Sequence, residues 1–510
     1  MYRSLPSLLI MSMSSKKLLQ AEGDHSSLKY GLNNSGEVPV FNDVADDGDD
    51  QPKRRSMDDV LSFIGYGPVQ LLMFILTSIT AMGFGFEMVI LASINIPLQK
   101  QMNITELEFT VLPASTNVAN LLGSLFYPFL SDRYGRVWPY VIVLLQIAVF
   151  GLASAFSTSF AMLVILRDLV SVSVEGAIVV LYPTLVEFLP VRNRGKVMML
   201  VTLVQAVGTC ITGGLAWWLI PTYPEKGWQY LLIASSLPFF IGALYRALFY
   251  IESPRFLLAR GRYKDTRKVL KKMARLNGKD LRDFIPESVR LEDYLQIMKP
   301  SKRSCSGTIN SLLSIFKKPY LRTTILLSAI YVTATVTYFS SGIFIPQVLA
   351  NYQLGPFFTA FIGYLGQIPG IVLMSIIIEW PGVGRLNALR FFSILTAASF
   401  FIFAFVRNAV ATSVIITIIY FSMVPMIPLL LTYMSEVYPT EIRGFASGLF
   451  NSLSPLVGIG VLFAGSYMID VSVEIPWLFP TVWGVVFVVQ FILSLFLNIE
   501  TLGKELKDTV

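Results

Sequence analysis

The sequence is poor in charge for its length. Charged residues make up 14% of its 510 positions, whereas hydrophobic residues make up 54%, and the mean hydropathy is +0.62. Soluble globular domains carry about 25% charged residues, so this composition excludes an ordinary soluble protein. It instead predicts a membrane protein whose chain crosses the bilayer many times.

Histidine and cysteine are almost absent. The single histidine, His25, lies in a polar N-terminal segment, so any proton handled inside the membrane would have to use Asp or Glu. Of the two cysteines, Cys210 falls in a hydrophobic run and Cys305 in a central basic segment, and neither position suits an extracellular disulfide. We expect two free thiols.

Sequence motifs of enzymatic chemistry are also missing. The sequence contains no phosphate-binding Gly-rich loop, no metal-ligand cluster and no nucleophile motif. We therefore expect neither enzymatic activity nor a cofactor nor a bound metal. We also expect no cleavable signal peptide, because the N-terminal apolar stretch SLPSLLIM is too short for one.

Long hydrophobic runs dominate the rest of the chain. Each has roughly 20 residues, the length that an α-helix needs to cross a bilayer. The twelve runs, numbered here as spans 1 to 12, lie near residues 68–92, 109–130, 138–158, 161–186, 197–220, 229–250, 322–346, 357–379, 388–406, 411–434, 445–468 and 477–498. The sequence thus predicts an all-α membrane protein with twelve transmembrane helices, a disordered tail over 1–60 and a short tail over 500–510.

Basic residues mark one side of the membrane. The segment 251–320, between spans 6 and 7, holds 17 Lys and Arg. Because Lys and Arg favour the cytoplasmic side of short loops, we expect this segment, and with an even number of spans both termini, in the cytoplasm. Asn103 starts a glycosylation sequon in a loop expected on the outer side. The net charge of +7 follows from this bias, so we expect no nucleic-acid partner.

The chain repeats its landmarks with an offset of 249 residues. The pattern E-x-x-P-x-x-x-R-G starts at Glu187 after span 4 and again at Glu436 after span 10, and a Gly-Arg pair after span 2, at Gly135, recurs after span 8, at Gly384. Two unrelated landmarks therefore share one offset. This predicts two pseudo-symmetric six-helix halves.

The predicted halves cover residues 61–250 and 321–499, joined by the basic segment 251–320, in which we expect short helices. Parallel repeats of this kind occur in alternating-access transporters, in which the substrate lies between two halves that rock against each other.

Several motifs stand within the spans or at their ends. They are S-D-R-Y-G-R between spans 2 and 3, an Arg within span 4, the doubled E-x-x-P-x-x-x-R-G pattern, E-S-P-R-F-L after span 6 and I-E-T-x-G-K-x-L near the C-terminus. Together they resemble the major facilitator superfamily, in its sugar-porter and organic-ion branch. F-I-G-Y-G before span 1 and S-E-V-Y-P-T-E-I-R-G after span 10 look most like the synaptic vesicle glycoprotein 2-related transporters. The resemblance implies the major facilitator fold and secondary transport.

The resemblance also implies a conformational gate at the charged turn between spans 2 and 3. The aspartate of this turn is expected against the N-terminus of span 11, and its arginines are expected to pair with carboxylates in one state and release them in the other. The alternative is that these charges only set the topology. The predicted gate residues are Asp132, Arg133, Gly135, Arg136, Glu187, Arg194, Glu436 and Arg443.

Charges inside the spans are costly and usually face a cavity. The candidates are Glu87 in span 1, Arg167, Asp168 and Glu175 in span 4, and Arg246 in span 6. Two interpretations stay open: Arg167, alone or with Arg246, neutralises the span 4 acids, which share one helix face, or these acids form a cation or proton site. A carboxylate shielded from water can bind and release a proton, and we rank Glu87 first, Glu175 second and Asp168 third in that role.

Four aromatic side chains near the expected cavity could stack on a planar or cationic substrate. They are Phe84, Tyr331, Tyr338 and Tyr433. Packing without a binding role is the alternative for each of them.

These observations predict a secondary, alternating-access transporter of a small organic solute such as an organic ion, working by proton or ion coupling or by facilitated diffusion. The alternative is a transporter-like vesicle or surface receptor that no longer transports, because spans 1 and 4 depart from the pattern that the resemblance implies. We expect a monomer in the plasma membrane or an intracellular vesicle membrane, with the substrate and the lipid bilayer as partners.

Overall fold

The computed structural model describes residues 56–501, except 191–193, 288, 292–312, 318–319, 352–354, 379, 381–382, 439 and 473. Most of the tail expected over 1–60 therefore lies outside the described residues, as do Cys305 and most of the C-terminal tail. The described chain from residue 56 onward belongs to one compact, helical unit.

Twelve helical spans follow one another in two groups of six. Those of the first half are Pro68–Met102, Glu106–Tyr134, Val137–Ser154, Phe160–Val186, Arg194–Thr222 and Gly227–Leu248. Those of the second half are Leu321–Asn351, Pro356–Leu365 continued by Gln367–Ile377, Gly384–Phe405, Ala409–Met423 continued by Met426–Val437, Thr440–Ser472 and Leu478–Leu495. The all-α architecture of twelve spans is the one that the sequence predicts.

Hydropathy alone identifies most of these spans. Within the described residues, ten helices are long and apolar enough to cross a membrane by length and composition, and spans 2 and 4 are not among them. These two are nevertheless 29 and 27 residues long. Span 4 carries Arg167, Asp168 and Glu175 in its interior, and such charges lower the hydropathy of a helix that is otherwise long enough to span.

Several helices extend beyond the hydrophobic runs that predict them. Span 1 continues past residue 92 to Met102, where Asn103 adopts a left-handed conformation with φ 56° and ends the helix. Span 2 starts at a capping box in which the Thr105 side chain accepts a hydrogen bond from Glu108 N while the Glu108 carboxylate accepts one from Thr105 N. Helix ends are set by such caps and not by where hydropathy falls.

Short helices cover one end of the first half. Met57–Ile64 begins inside the segment expected to be a tail, and its apolar side packs with Tyr263–Leu276, the longer of the two described α-helices in the basic segment. The Asn277 side chain accepts a hydrogen bond from Val69 N and donates to Gln70 Oε1. The start of span 1 is thereby tied to the basic segment.

Three pairs of spans join the halves of the bundle. We call the end that carries Gly135, Gly384 and the basic segment the basic face, and the end that carries Asn103 the sequon face. Spans 1, 2 and 5 of the first half pack against spans 7, 11 and 8 of the second. Near the sequon face, the Trp217 ring lies 5.1 Å from the Phe358 ring. The two halves therefore meet at the sequon face.

Candidate functional site

A buried ion pair joins spans 1 and 4. Nη2 of Arg167 contacts Oε2 of Glu87, and the two side chains are only 2% and 7% exposed. The other guanidinium nitrogens of Arg167, Nε and Nη1, are buried without a hydrogen-bond partner among the described residues. The pair is thus electrically neutral but incompletely hydrogen-bonded.

The two acids of span 4 do not share Arg167. Oδ1 of Asp168 accepts a hydrogen bond of 2.8 Å from Ser115 Oγ on span 2. Glu175 is surrounded by protein yet keeps some solvent accessibility, and its carboxylate lies within electrostatic range of the Tyr331 hydroxyl on span 7. Consecutive residues on a helix point about 100° apart, which is why Arg167 reaches span 1 while Asp168 reaches span 2.

Two of the four candidate aromatics lie where the halves meet. The Tyr331 hydroxyl donates a hydrogen bond to Asn451 Oδ1 on span 11. Tyr338, also on span 7, lies near the Thr209 side chain on span 5 of the first half. These two tyrosines and Glu175 therefore share the region between the halves.

The other two candidates lie elsewhere. The Phe84 ring packs 5.7 Å from the Phe239 ring inside the first half. The Tyr433 hydroxyl donates a hydrogen bond of 2.6 Å to the carbonyl of Ile499, near the basic face. Arg246, the third buried charge of the first half, donates to the carbonyls of Phe249 and Ile251 and so caps the end of span 6.

A clamp at the basic face holds three spans of the first half together. Arg136 Nε and Nη2 donate to the two carboxylate oxygens of Glu187 at 3.3 and 3.0 Å. Glu252 accepts hydrogen bonds from the backbone N–H groups of Arg136 and Val137. Gly135 has φ +105°, and a Cβ at this position would lie 2.5 Å from Glu252 Oε2. The glycine is needed both for its backbone conformation and for the close approach of the carboxylate.

The second half repeats this clamp. Arg385 Nε and Nη2 donate to Glu436 at 3.1 and 2.9 Å, and Glu500 accepts from the backbone N–H groups of Arg385 and Leu386 at 3.0 and 3.1 Å. Gly384 also has positive φ, +68°, and a Cβ at this position would lie 2.7 Å from Glu500 Oε2. The sequence repeat thus corresponds to one three-dimensional device, present twice.

The clamps join spans within each half and not across the halves. The predicted partners Arg136 and Glu187 do meet, whereas Arg133 is exposed and lies over the Tyr134 ring. Arg194 pairs with Asp58 of the helix Met57–Ile64. The side chains of Asp132 and Arg443 lie outside the described residues, although both positions are helical.

A polar lock at the sequon face does cross the halves, and the sequence gives little sign of it. Gln347 Nε2, at the end of span 7, donates to Oε1 and Oε2 of Glu106, at the start of span 2, at 2.7 and 2.6 Å. Gln99 Nε2 of span 1 donates to the same carboxylate and, at 2.7 Å, to Asn95 Oδ1. We call Asn95, Gln99, Glu106 and Gln347 the sequon-face lock.

The sulfur of Cys210 makes a further contact across the halves. Its thiol donates a hydrogen bond of 3.2 Å to the carbonyl of Tyr364 on span 8. Asn103, the predicted glycosylation site, is exposed in the turn between spans 1 and 2, at the same face.

The sequence of this chain matches a known protein family. The family model of the Major Facilitator Superfamily matches residues 73–462. The chain belongs to the Major Facilitator Superfamily. The resemblance predicted from the motifs is thereby confirmed.

Relatives within the superfamily include a putative transporter, svop-1, of Caenorhabditis elegans, 26% identical over 90% of this chain and 88% of its own length. Organic cation/carnitine transporter 7 of Arabidopsis thaliana is 24% identical over 90% of this chain and 97% of its own length. The synaptic vesicle 2-related protein of Xenopus laevis is 25% identical over 89% and 82%. The predicted sugar-porter and organic-ion branch is consistent with these relatives.

Solved structures show the same fold. The xylose transporter XylE from E. coli, in an inward open conformation, superposes with a TM-score of 0.65 at 16% identity, covering 85% of this chain and 98% of that chain. The major facilitator fold, with two pseudo-symmetric six-helix bundles, is therefore the fold of this chain. Superfamily members are secondary transporters of small solutes, so the chain is a multi-pass membrane transporter and not an enzyme.

Proposed function

We propose that the chain moves a small organic ion by alternating access and that proton binding at Glu87 drives the movement. The observation that carries this proposal is the buried Glu87–Arg167 pair. Removing one partner of a buried ion pair leaves an uncompensated charge, which costs several kcal/mol, on the order of 3–5. Protonation of Glu87 would release Arg167 and so favour a different arrangement of spans 1 and 4.

Two sets of contacts support alternating access. The sequon-face lock crosses the halves, whereas the two basic-face clamps stay within them. Rocking can therefore open the lock while both clamps persist, and each half then moves as a rigid body. Glu175, Tyr331 and Tyr338 are proposed to line the substrate region between the halves, with Asp168 and Arg167 beside it.

The basic face is proposed to be cytoplasmic, with both termini on that side and Asn103 outside. The support is the concentration of Lys and Arg at the basic face and the exposure of Asn103 at the sequon face. The protein would then reside in the plasma membrane or in a vesicle membrane.

The test of coupling is Glu87→Gln in proteoliposomes. A thermal-shift screen of organic cations, organic anions, nicotinate-like acids, sugars and nucleotides first identifies a solute that stabilises the purified protein. Glu87→Gln should abolish uphill accumulation driven by a pH gradient but retain downhill exchange, because the amide keeps the shape of the side chain and cannot carry a proton.

Glu225→Gln is the matched control, since Glu225 is an exposed acid in the turn after span 5 and lies outside the proposed site. It should retain uphill accumulation. Uptake in the parent protein that ignores both the pH gradient and the membrane potential would refute coupling and leave facilitated diffusion. Absence of uptake for every stabilising solute would refute transport and favour the receptor alternative.

A further inference from the structure

We propose that Arg167 binds the carboxylate of an organic anion, and that this anion enters the site together with one proton on Glu87. The inference deepens the proposed function and rests on it, because it takes the Glu87–Arg167 pair as part of the transport pathway. It names the class of substrate: small monocarboxylates, moved without net charge.

Arg167 has hydrogen-bond donors that no described residue accepts from. A guanidinium carries five N–H donors in a rigid fork. Only Nη2 contacts Glu87, while Nε and Nη1 are buried and have no partner among the described residues. Donors of a buried cation that stay unpaired are costly, so this arrangement suits a ligand that supplies acceptor oxygens. Nε and Nη1 lie on different edges of the guanidinium, so a carboxylate can use both of its oxygens only through Nη2 together with Nε or Nη1, once Glu87 has released Nη2.

The neighbouring acids do not fill these positions. Asp168 accepts from Ser115 and lies on the next helical position, pointing away from Glu87. Glu175 is eight residues further along the helix, which is about 12 Å at the rise of an α-helix. Neither acid therefore takes the place of the missing acceptor.

The charge of Glu87 is balanced by Arg167. Arg246 is the other described cation in the interior of the helices that pack against spans 1 and 4. It donates hydrogen bonds to the carbonyls at the end of span 6. The ionisable groups in the interior of spans 2 to 7, as far as they are described, are Tyr127, Tyr140, Arg167, Asp168, Glu175, Tyr182, Cys210, Tyr245, Arg246, Tyr331 and Tyr338. Arg167 and Arg246 are the only cations among these described groups.

Charge balance then couples the anion to the proton. The resting pair has a net charge of zero, and a carboxylate added to it would leave one negative charge buried. A proton bound by Glu87 restores neutrality: the Oε2 lone pair takes the proton, the contact with Nη2 is released, and the guanidinium pairs with the carboxylate of the ligand. Release reverses these steps. One proton therefore travels with each carboxylate, and the cycle moves no net charge.

Binding is tested on the purified full-length protein with three matched sets of compounds. They are nicotinate, nicotinamide and 1-methylnicotinamide; hexanoate, hexanamide and hexylammonium; and 3-phenylpropionate, 3-phenylpropanamide and 3-phenylpropylammonium. Within a set, the acid should raise the midpoint of thermal unfolding and the amide and the cation should not. Stabilisation by the cations, or by none of the acids, would overturn the proposal.

The proton is tested by the pH dependence of the same binding. For the parent protein, the affinity for the acid should fall about tenfold for each unit of pH once Glu87 is ionised, because binding and protonation are reciprocally linked. Glu87→Gln should bind the acid with an affinity that no longer depends on pH, whereas Glu225→Gln, which changes an exposed acid in the turn after span 5, should retain the dependence of the parent. A pH dependence that survives in Glu87→Gln would overturn the role of Glu87.

If Glu87→Gln does not fold, calorimetry on the parent protein replaces it. Titration with the acid in buffers of different ionisation enthalpy measures proton uptake, and one proton per carboxylate is expected. A value near zero would overturn the coupling.

Failure of this inference differs from failure of the proposed function. Acid binding with proton uptake but without transport in proteoliposomes would refute transport and leave the ligand class intact. Transport of a cation or a neutral solute instead would refute the ligand class and leave transport intact. Under the inference, uptake of the acid is stimulated by an inward proton gradient and is unchanged when valinomycin and potassium set the membrane potential.

Discussion

The sequon-face lock should set the balance between the two states of the transporter, and Glu106→Gln tests this. Gln347 donates to both oxygens of Glu106 at 2.7 and 2.6 Å, and these bonds join the halves only while the sequon face is closed. Hydrogen bonds to a charged group contribute about 1.5–3 kcal/mol and neutral ones about 1 kcal/mol. The amide should therefore weaken the closed state by about 1–2 kcal/mol, which shifts the ratio of closed to open molecules about 5- to 30-fold.

The assay is the distance between two spin labels at the sequon face, measured by pulsed electron paramagnetic resonance. Labels at Glu225, in the turn after span 5, and at Val410, at the start of span 10, lie on different halves and are both exposed. Cys210→Ser keeps a donor for the Tyr364 carbonyl, and Cys305→Ser completes the background. The parent should show mainly the shorter distance, and Glu106→Gln should gain a longer one.

The matched control is Glu108→Gln. Glu108 lies two residues after Glu106 and is exposed. Among the described contacts, its carboxylate hydrogen-bonds only with Thr105, at the start of the same helix. Its substitution should leave the distances unchanged. If Glu106→Gln also leaves them unchanged, the lock does not hold the halves together.

Three further predictions concern stability and topology. Gly135→Ala should lower the midpoint of thermal unfolding more than Gly261→Ala does. Both glycines have positive φ, but only at Gly135 would the new Cβ meet a carboxylate, at 2.5 Å. Equal shifts of the two midpoints would contradict this. Arg136→Lys should lower the free energy of unfolding by about 1–3 kcal/mol, because the bidentate pairing needs a guanidinium. Arg133 is exposed, and Arg133→Lys should change the free energy of unfolding by no more than about 0.5 kcal/mol. Asn103→Gln should remove the electrophoretic shift that an endoglycosidase produces in the parent, and a shift that persists would place glycan elsewhere.

The fold and the clamps could be predicted from the sequence because both leave periodic marks. Hydrophobic runs of bilayer length indicate spans, and the 249-residue offset pairs Arg136 with Arg385 and Glu187 with Glu436 before any contact is seen. What the offset does not reveal is that each arginine meets the glutamate of its own half. Sequence spacing identifies equivalent positions, whereas which half a long side chain reaches depends on the helix packing.

The lock and the partner of Arg167 could not be predicted for the same reason. Glu106 and Gln347 are 241 positions apart, and three of the four lock residues are neutral amides that look unremarkable in a helix. One of the two interpretations left open by the sequence has Arg167 neutralise acids of its own span, yet it reaches Glu87 across 80 positions. Such pairings depend on the direction in which a side chain leaves its helix, and one sequence does not specify that.

The helix Tyr263–Leu276 also bears on how the protein is made. It packs with Met57–Ile64 and the start of span 1, and the Asn277 amide secures the junction. Chains fold from the N-terminus as the ribosome extends them, with units forming as they are completed. Every described part of the base of the first half up to Asn277 is synthesised before span 7 begins. The first six spans can therefore close their own base while the second six are still being translated, and a ribosome pausing in the basic segment would hold a finished half.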